Sequence, residues 1–297
     1  MRTTKRFTSQ VLERYASTER GLGTKKEYTA WHRVSRGDPS SRGRSHWHLS
    51  PLGRHHHLLS DLERCCLLFI LALPDLHDCL EQLPMPLDSA PHVLERYGKA
   101  SPLHLNPGTE QIARELRIRH PRVSSEKSGK LWQMTVDFLV VRWEAKGSLV
   151  TQAISVKPEA PLTKRQTEIL TIEKEYWSRC GVPWLLFTPA LFHQQVRRNL
   201  EQIACWLTPS LPPQSLDRAA ELVLSDHHRS LRQILAQLGS DKEGPLFAQR
   251  HFWQAVHTGR VPLDLRIPIR PTEPISLLSS QEFLDLNPIE AGRSAWI

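Results

Sequence analysis

The sequence predicts an α/β domain followed by a small, mainly helical one, and three patterns lead there. First, two apolar, β-branched runs lie either side of Lys146-Gly147-Ser148, one starting around Asp137 and one closing at Lys157, as two strands joined by a turn would. Second, residues 65–73 are almost wholly apolar, and residues 163–177 carry Ile169, Leu170, Ile172 and Tyr176 on one side, which describes a buried helix and an amphipathic one. Third, the composition changes after residues 208–214, where Pro209, Pro212 and Pro213 mark a linker.

The elements follow in order. Val11, Leu12 and Tyr15 have helical spacing in the first twenty residues, so a short N-terminal helix is expected. Residues 35–54 are rich in Gly, Ser, Arg and Pro and read as a loop or hairpin carrying Trp47, Arg42, Arg44 and Arg54, with Trp31 just ahead. Ser60 is placed to cap the next helix, and Glu63 completes a capping-box pattern. Asp61 supports the same N-terminus electrostatically. Residues 80–84 read as a strand end, 84–109 as a long polar connection, 111–116 as a helical turn stopped by His120-Pro121, and 124–130 as a charged loop. Residues 184–188 form a buried strand and 196–207 a closing helix. The first domain therefore runs over 1–207 and includes the basic N-terminal region.

Beyond the linker, residues 216–224, 231–238 and 247–257 have helical apolar spacing. Residues 261–269 alternate apolar and polar side chains, as a strand or wing would. Three short helices and a wing predict a winged-helix-like module over 215–270, with a Pro-rich tail over 271–297.

With 297 residues, 39% of them hydrophobic, the chain can bury a real core in one or two domains. The net charge is +8, and its distribution is uneven: residues 1–60 hold 12 Lys/Arg against 4 Asp/Glu, while the rest hold 27 of each. A polyanion such as DNA suits that first segment, the bland alternative being a basic solvated tail. The five cysteines are odd in number and form no C-x-x-C pair, which argues against a disulfide framework and for a reducing compartment. Met1-Arg2-Thr3-Thr4-Lys5 has no apolar core behind it, and residues 65–73 are too few to span a bilayer. A soluble, cytoplasmic protein with no membrane partner is expected.

Three polar groups are hard to explain as core: Glu63 on a helix, Asp137 on a strand and Lys157 at the end of the next strand. Asp137 and Lys157 are 20 residues apart, which brings both to one end of adjacent strands. Cutting a phosphodiester near neutral pH calls for a hard cation that orients water and stabilises charge. Mg²⁺ takes one or two carboxylates plus waters, so Glu63 and Asp137 are apt ligands. A lysine beside the cation can hold the water or help deprotonate it. Singly, each has a plainer account: a cap for Glu63, a surface acid for Asp137, a solvated amine for Lys157. The set of three points to a DNA endonuclease. His46, His48 and His55-His56-His57 invite a zinc reading, but consecutive strand residues point to opposite faces, and a structural zinc needs four convergent ligands. Substrate-facing or core-satisfied histidines are the preferred reading.

Several stretches together resemble the TnsA family, the endonuclease subunit of the heteromeric transposase of Tn-seven-like bacterial transposons. They are Gly43-Arg44-Ser45-His46, Gly53-Arg54 through His56-His57-Leu58-Leu59-Ser60-Asp61-Leu62-Glu63, Glu81-Gln82 with Pro84, and Thr135 to Leu139 followed by Val156-Lys157-Pro158. Weaker likenesses are Ile118-Arg119-His120-Pro121, Glu173 ahead of Tyr176-Trp177, and Val182-Pro183-Trp184 before Phe187-Thr188. The resemblance runs over roughly the first two thirds of the chain. It implies a restriction-endonuclease-like fold that cuts the 5′, non-transferred strands at transposon ends in partnership with the transposase TnsB. It also implies that Glu63, Asp137 and Lys157 are catalytic. Glu63, Asp137 and the Val156 carbonyl would hold Mg²⁺, with Mn²⁺ able to substitute, and Ser155 and Glu173 would be further candidates. Arg42, Arg44, Arg54, His56 and His57 are candidate contacts to double-stranded DNA, and the C-terminal region would meet the ATPase regulator TnsC. Ser155 stands where the family commonly has Gln, a departure that bears on the number of metal ions. It also keeps open a different class of function, a DNA-binding adaptor that retains the fold without cleavage.

Overall fold

The computed structural model describes residues 8–36, 38, 43–123, 129–144, 147–158, 161–240 and 244–296. The expected turn at Lys146, most of the loop over 124–130 and Arg42 therefore lie, wholly or in part, outside the described residues.

The chain opens with helix α1 (Ser9–Ser17), capped by the Thr8 hydroxyl, which accepts from the Val11 N–H. A hairpin follows, formed by β1 (His46–Leu49) and β2 (His55–Leu58), with Gly53 at φ +77 in its turn. Helix α2 (Asp61–Leu71) starts at the Ser60 cap and buries nearly its whole surface, because residues 65–71 are all apolar and have no solvent side to present. Strand β3 (Leu76–Pro84) is longer than the strand end read from residues 80–84. The Pro-rich connection after it holds a small ladder of β4 (Ala90–Pro91) and β5 (Leu105–Asn106), then α3 (Thr109–Glu115). Strands β6 (Thr135–Trp143) and β7 (Leu149–Val156) are the β-branched runs. Helix α4 (Lys164–Arg179) begins with a complete capping box at Thr163 and Gln166 and crosses back to β8 (Trp184–Phe187).

These strands form one mixed sheet in the order β3-β6-β7-β8, in which β3, β6 and β7 are antiparallel neighbours and β8 runs parallel to β7. A parallel pair needs a crossover, and α4 supplies it. One face of the sheet buries Phe138, Val140, Ile154 and Phe187 with α2 and with α5 (Gln194–Ile203). The other buries Leu80, Leu139 and Ala153 against Ile172, Tyr176 and Trp177 of α4. The α/β class read from the sequence is thus the architecture present.

Beyond α5 come α6 (Pro213–Ser225), α7 (Leu231–Leu238) and α8 (Gly244–His257), in place of the three helical patterns. The wing is different. Residues 261–269 form no strand; Leu263 makes an isolated bridge to Leu277, and Val261 through Leu265 are buried without alternation. Pro262 and Pro268 remove N–H donors that a ladder would use. The linker over 208–214 is held in place: the buried Gln254 side chain accepts from Leu211 N–H and donates to the Trp206 and Pro209 carbonyls at 2.9, 2.8 and 2.9 Å. The tail is ordered as well, with α9 (Ser280–Asp285), Ile289 in the core, and Asn287 donating to the Phe69 carbonyl at 2.8 Å. One apolar cluster runs from α2 and the sheet through Val223, Ile234 and Phe252 to Ile289. Among the described residues no helix is long and apolar enough to cross a membrane.

A buried acid ties the hairpin to this frame. Glu81 of β3 is fully buried; Arg54 pairs with it at 2.9 and 2.6 Å, and His56 Nδ1 lies 2.9 Å away. The His57 N–H adds a third bond at 3.2 Å. Burial opposes ionisation of Glu81, but His56 and Arg54 outweigh it and hold its carboxyl down at about 2. Replacing Arg54 with Ala leaves that charge buried and unpaired, so Arg54→Ala is expected to lose about 3–5 kcal/mol in urea unfolding at neutral pH. A loss below about 1 kcal/mol would mean that the pair is not what anchors the hairpin.

Candidate active site

The site forms where three elements end together. The Ser60 Oγ accepts from the Glu63 N–H at 3.1 Å, as the capping pattern requires. The Glu63 carboxylate turns back, accepting from the Leu59 N–H at 2.8 Å and the Ser60 hydroxyl at 3.1 Å. Gln82 donates to the same carboxylate at 3.2 Å. Ser60 thus caps α2, while the Glu63 carboxylate, bonded to the Leu59 N–H in place of the Ser60 N–H that a capping box would use, is a fixed acid at the mouth of the helix.

Asp137 sits on β6 with its Oδ2 accepting from the Val156 N–H at 2.6 Å and lying 3.2 Å from Lys157 Nζ. Lys157 also donates to the Val156 carbonyl at 3.0 Å, which places that carbonyl, the amine and the Asp137 carboxylate around one space. Behind them, Glu173 of α4 is buried; it accepts from the Ser155 hydroxyl and, at 3.2 Å, from Trp184 Nε1. Trp184 Nε1 also approaches Ser155 Oγ at 3.1 Å. Ser155 spends its hydroxyl on Glu173, so in this structure it orients that acid rather than standing alone as a short ligand.

The electrostatics follow from three acids around one lysine. Burial, then the nearby charge of Asp137, lifts the Glu63 carboxyl to about 7. Burial likewise lifts Glu173 to about 7, against the pull of Lys157. For Lys157, burial opposes the charge, but Asp137, Glu173 and Glu63 outweigh it and keep the amine above the ordinary lysine value. The lysine is thus a cation at neutral pH, suited to holding a phosphate oxygen or a water and poorly suited to removing a proton.

A model of the TnsA-like endonuclease N-terminal family matches residues 104–189, a span that contains Asp137, Ser155, Val156, Lys157 and Glu173. The chain is also 33% identical over 198 residues to the Escherichia coli protein named Transposon Tn7 transposition protein TnsA, covering 66% of this chain and 62% of that one. Both likenesses are to TnsA-like endonucleases. The chain spans a little under two thirds of that relative's length.

In this TnsA-like chain the acids fit a hard cation. Glu63 and Asp137 supply carboxylate oxygens, the Val156 carbonyl faces the same space, and the negative charge exceeds what Lys157 neutralises. Two carboxylates, a carbonyl and waters are a Mg²⁺-type donor set. Among the described residues no three His, Cys, Asp or Glu side chains form a complete cage, and such a site requires none.

The DNA-contact candidates divide. Arg44 is exposed, with its side chain 3.8 Å from Asp61, and His57 is half-buried, its Nδ1 accepting from the Val34 N–H at 3.1 Å. Arg54 and His56 do not face solvent; both are buried against Glu81, and His56 Nε2 lies 2.9 Å from Ser50 Oγ. The expectation that these two touch DNA is corrected, because a buried carboxylate needs them as counter-charge and donor. Gln82 was missed as a site residue. It lies between Glu81, which faces Phe138, and Leu83, which faces Val136, so it comes opposite Asp137, and it adopts φ +51, a left-handed conformation rare for a side chain of its size. The signal the sequence offered was the Glu81-Gln82 pair with Pro84; the kink itself shows only in the structure.

Without a divalent cation the acids weaken the fold as pH rises. The Glu63 carboxyl titrates near 7 in the folded chain and near 4.5 unfolded, so the native state keeps a proton that the unfolded chain has released. The penalty is absent below the unfolded value, grows between the two and is complete above about 7. Glu63→Gln is expected to remove on the order of 3 kcal/mol of the stability lost between pH 5 and 8, measured by urea unfolding in EDTA. Identical pH dependence in the variant and the wild type would exclude this strain.

Proposed function

We propose that the chain is a metal-dependent DNA endonuclease subunit of a transposase, with a restriction-endonuclease-like core, cutting the 5′, non-transferred strands at transposon ends. The observation that carries this reading is the meeting of Glu63, Asp137, the Val156 carbonyl and Lys157 at the ends of one helix and two neighbouring strands. Glu63, Asp137 and the Val156 carbonyl would hold Mg²⁺, or Mn²⁺ in its place. Bound there, the ion supplies Lewis acidity and an oriented water. The remaining work falls to the chain itself. Lys157, kept protonated by its acidic neighbours, donates to a non-bridging phosphate oxygen and stabilises the charge that builds as water attacks phosphorus and the bond to the leaving sugar oxygen breaks. Ser155 and Trp184 fix Glu173 beside that lysine. The family implies two partners, the transposase TnsB and, at the C-terminal region, the ATPase regulator TnsC.

The test is strand cleavage of labelled transposon-end DNA with Mg²⁺ or Mn²⁺ and the partner transposase present. Glu63→Ala and Asp137→Ala should each cut the 5′ strand at under about 1% of the wild-type rate while still binding DNA, because several kcal/mol of charge stabilisation is removed. Cuts that survive both substitutions would assign the chemistry to the partner and leave this chain as a DNA-binding adaptor.

A further inference from the structure

The outward face of the β1–β2 hairpin is unused by the chemistry above. Trp47 and Leu49 alternate outward along β1, with the Trp47 side chain about two thirds in solvent. His57 faces Trp47 across the ladder and His55 faces Leu49; the Trp47 ring lies 4.5 Å from the His55 ring and 6.0 Å from that of His57. A two-stranded ribbon is marginal on its own, yet this one is clamped from its inner face through Arg54 and His56 to Glu81. The aromatic face is therefore held rigidly toward water.

We propose that this face is a nucleic-acid stacking platform, on which Trp47 receives the flat face of a base unstacked from the duplex near the cut, while Arg44 meets an adjacent phosphate. The proposal takes its ligand from the endonuclease reading but does not require that this chain cuts. Charge favours DNA over a protein partner. The first sixty residues hold 12 Lys/Arg against 4 Asp/Glu, and Arg44, three residues before Trp47, leaves three quarters of its side chain exposed. The partly exposed acid beside Arg44, Asp61, lies 3.8 Å from it but is held more closely by His46, at 2.6 Å. The apolar patch is small and basic-rimmed, which suits a base and a phosphate better than a protein core. Position agrees as well. Strand β2 leads directly into Leu59, whose N–H binds the Glu63 carboxylate, so the platform is fixed to the acids by the same backbone.

The experiment is fluorescence anisotropy of the full chain with labelled transposon-end duplexes, intact or carrying unpaired bases at the cut position, over a series of salt concentrations. Trp47→Ala should weaken binding to the unpaired duplex roughly five- to a hundredfold with the salt slope unchanged, and Trp47→Phe should recover most of it. Arg44→Ala should weaken binding and lower the slope by about one. Both side chains are largely exposed, so thermal unfolding should not move. Equal affinity of Trp47→Ala and wild type overturns the platform, even if Asp137-dependent cutting persists. A Trp47 effect on DNA alongside cutting that ignores Asp137 upholds the platform and removes the endonuclease reading. Loss of association with the partner transposase in Trp47→Ala, with DNA affinity intact, overturns the platform in favour of a protein interface.

Discussion

A carboxylate with no exposed surface must be satisfied by its neighbours, and much of the N-terminal half is arranged around one such group, Glu81. Arg54, His56 and the His57 N–H reach it from the hairpin, and the Tyr28 hydroxyl bonds its backbone carbonyl at 2.8 Å from the segment before. The pair is not a source of large net stability, since desolvation offsets most of the attraction. What it provides is register. With β2 fixed against β3, the Leu59 N–H points at Glu63, and Gln82, the next residue after Glu81, reaches the same carboxylate. The two residues of the Glu81-Gln82 pair thus divide the labour, one holding the hairpin and the other touching the site.

The site itself is built with the opposite balance. Around Glu81 the charges nearly cancel, and the carboxyl stays ionised far below neutrality. Around Asp137 they do not, and Glu63 and Glu173 are pushed up towards neutrality by burial and by the charge of Asp137. Two buried acids, Glu63 and Glu81, so differ by about five pH units in where they titrate, for reasons that lie wholly in their neighbours. Buried acids that titrate near neutrality instead of being paired mark a functional-site candidate more often than do ion pairs that merely hold a fold.

How much of this was legible in the sequence depended on whether the cause was local. Helix α2, strands β6 and β7, and helix α4 were readable because apolar periodicity and capping residues act within a few positions. The Asp137–Lys157 meeting was readable for the same reason, as two strands and a turn. Arg54 and His56 were misread because their partner, Glu81, is 27 and 25 residues away, and nothing in an Arg or His declares whether it faces solvent or a buried acid. Ser155 looked like a weak ligand until Glu173, 18 residues on, accepted its hydroxyl. The wing failed on chemistry the sequence did contain: Pro262 and Pro268 interrupt the alternation that suggested a strand.

The tail over 271–297 had been read as composition alone, yet it closes the sheet on the side where β8 would otherwise be an open edge. The Leu186 N–H donates to Ser294 Oγ at 3.0 Å, and the Ala295 N–H donates to the Leu186 carbonyl at 2.9 Å. The Trp296 ring meets Trp184 edge-on at 5.4 Å, with Lys174 Nζ 5.7 Å from the Trp296 ring centroid. Trp184 is also the indole that donates to Glu173. The seat of the tail and the position of an acid beside Lys157 therefore both involve one side chain, Trp184. Because packed interiors shift between discrete arrangements rather than deforming smoothly, the C-terminal segment and the site are not independent parts joined by a tether; they share a wall.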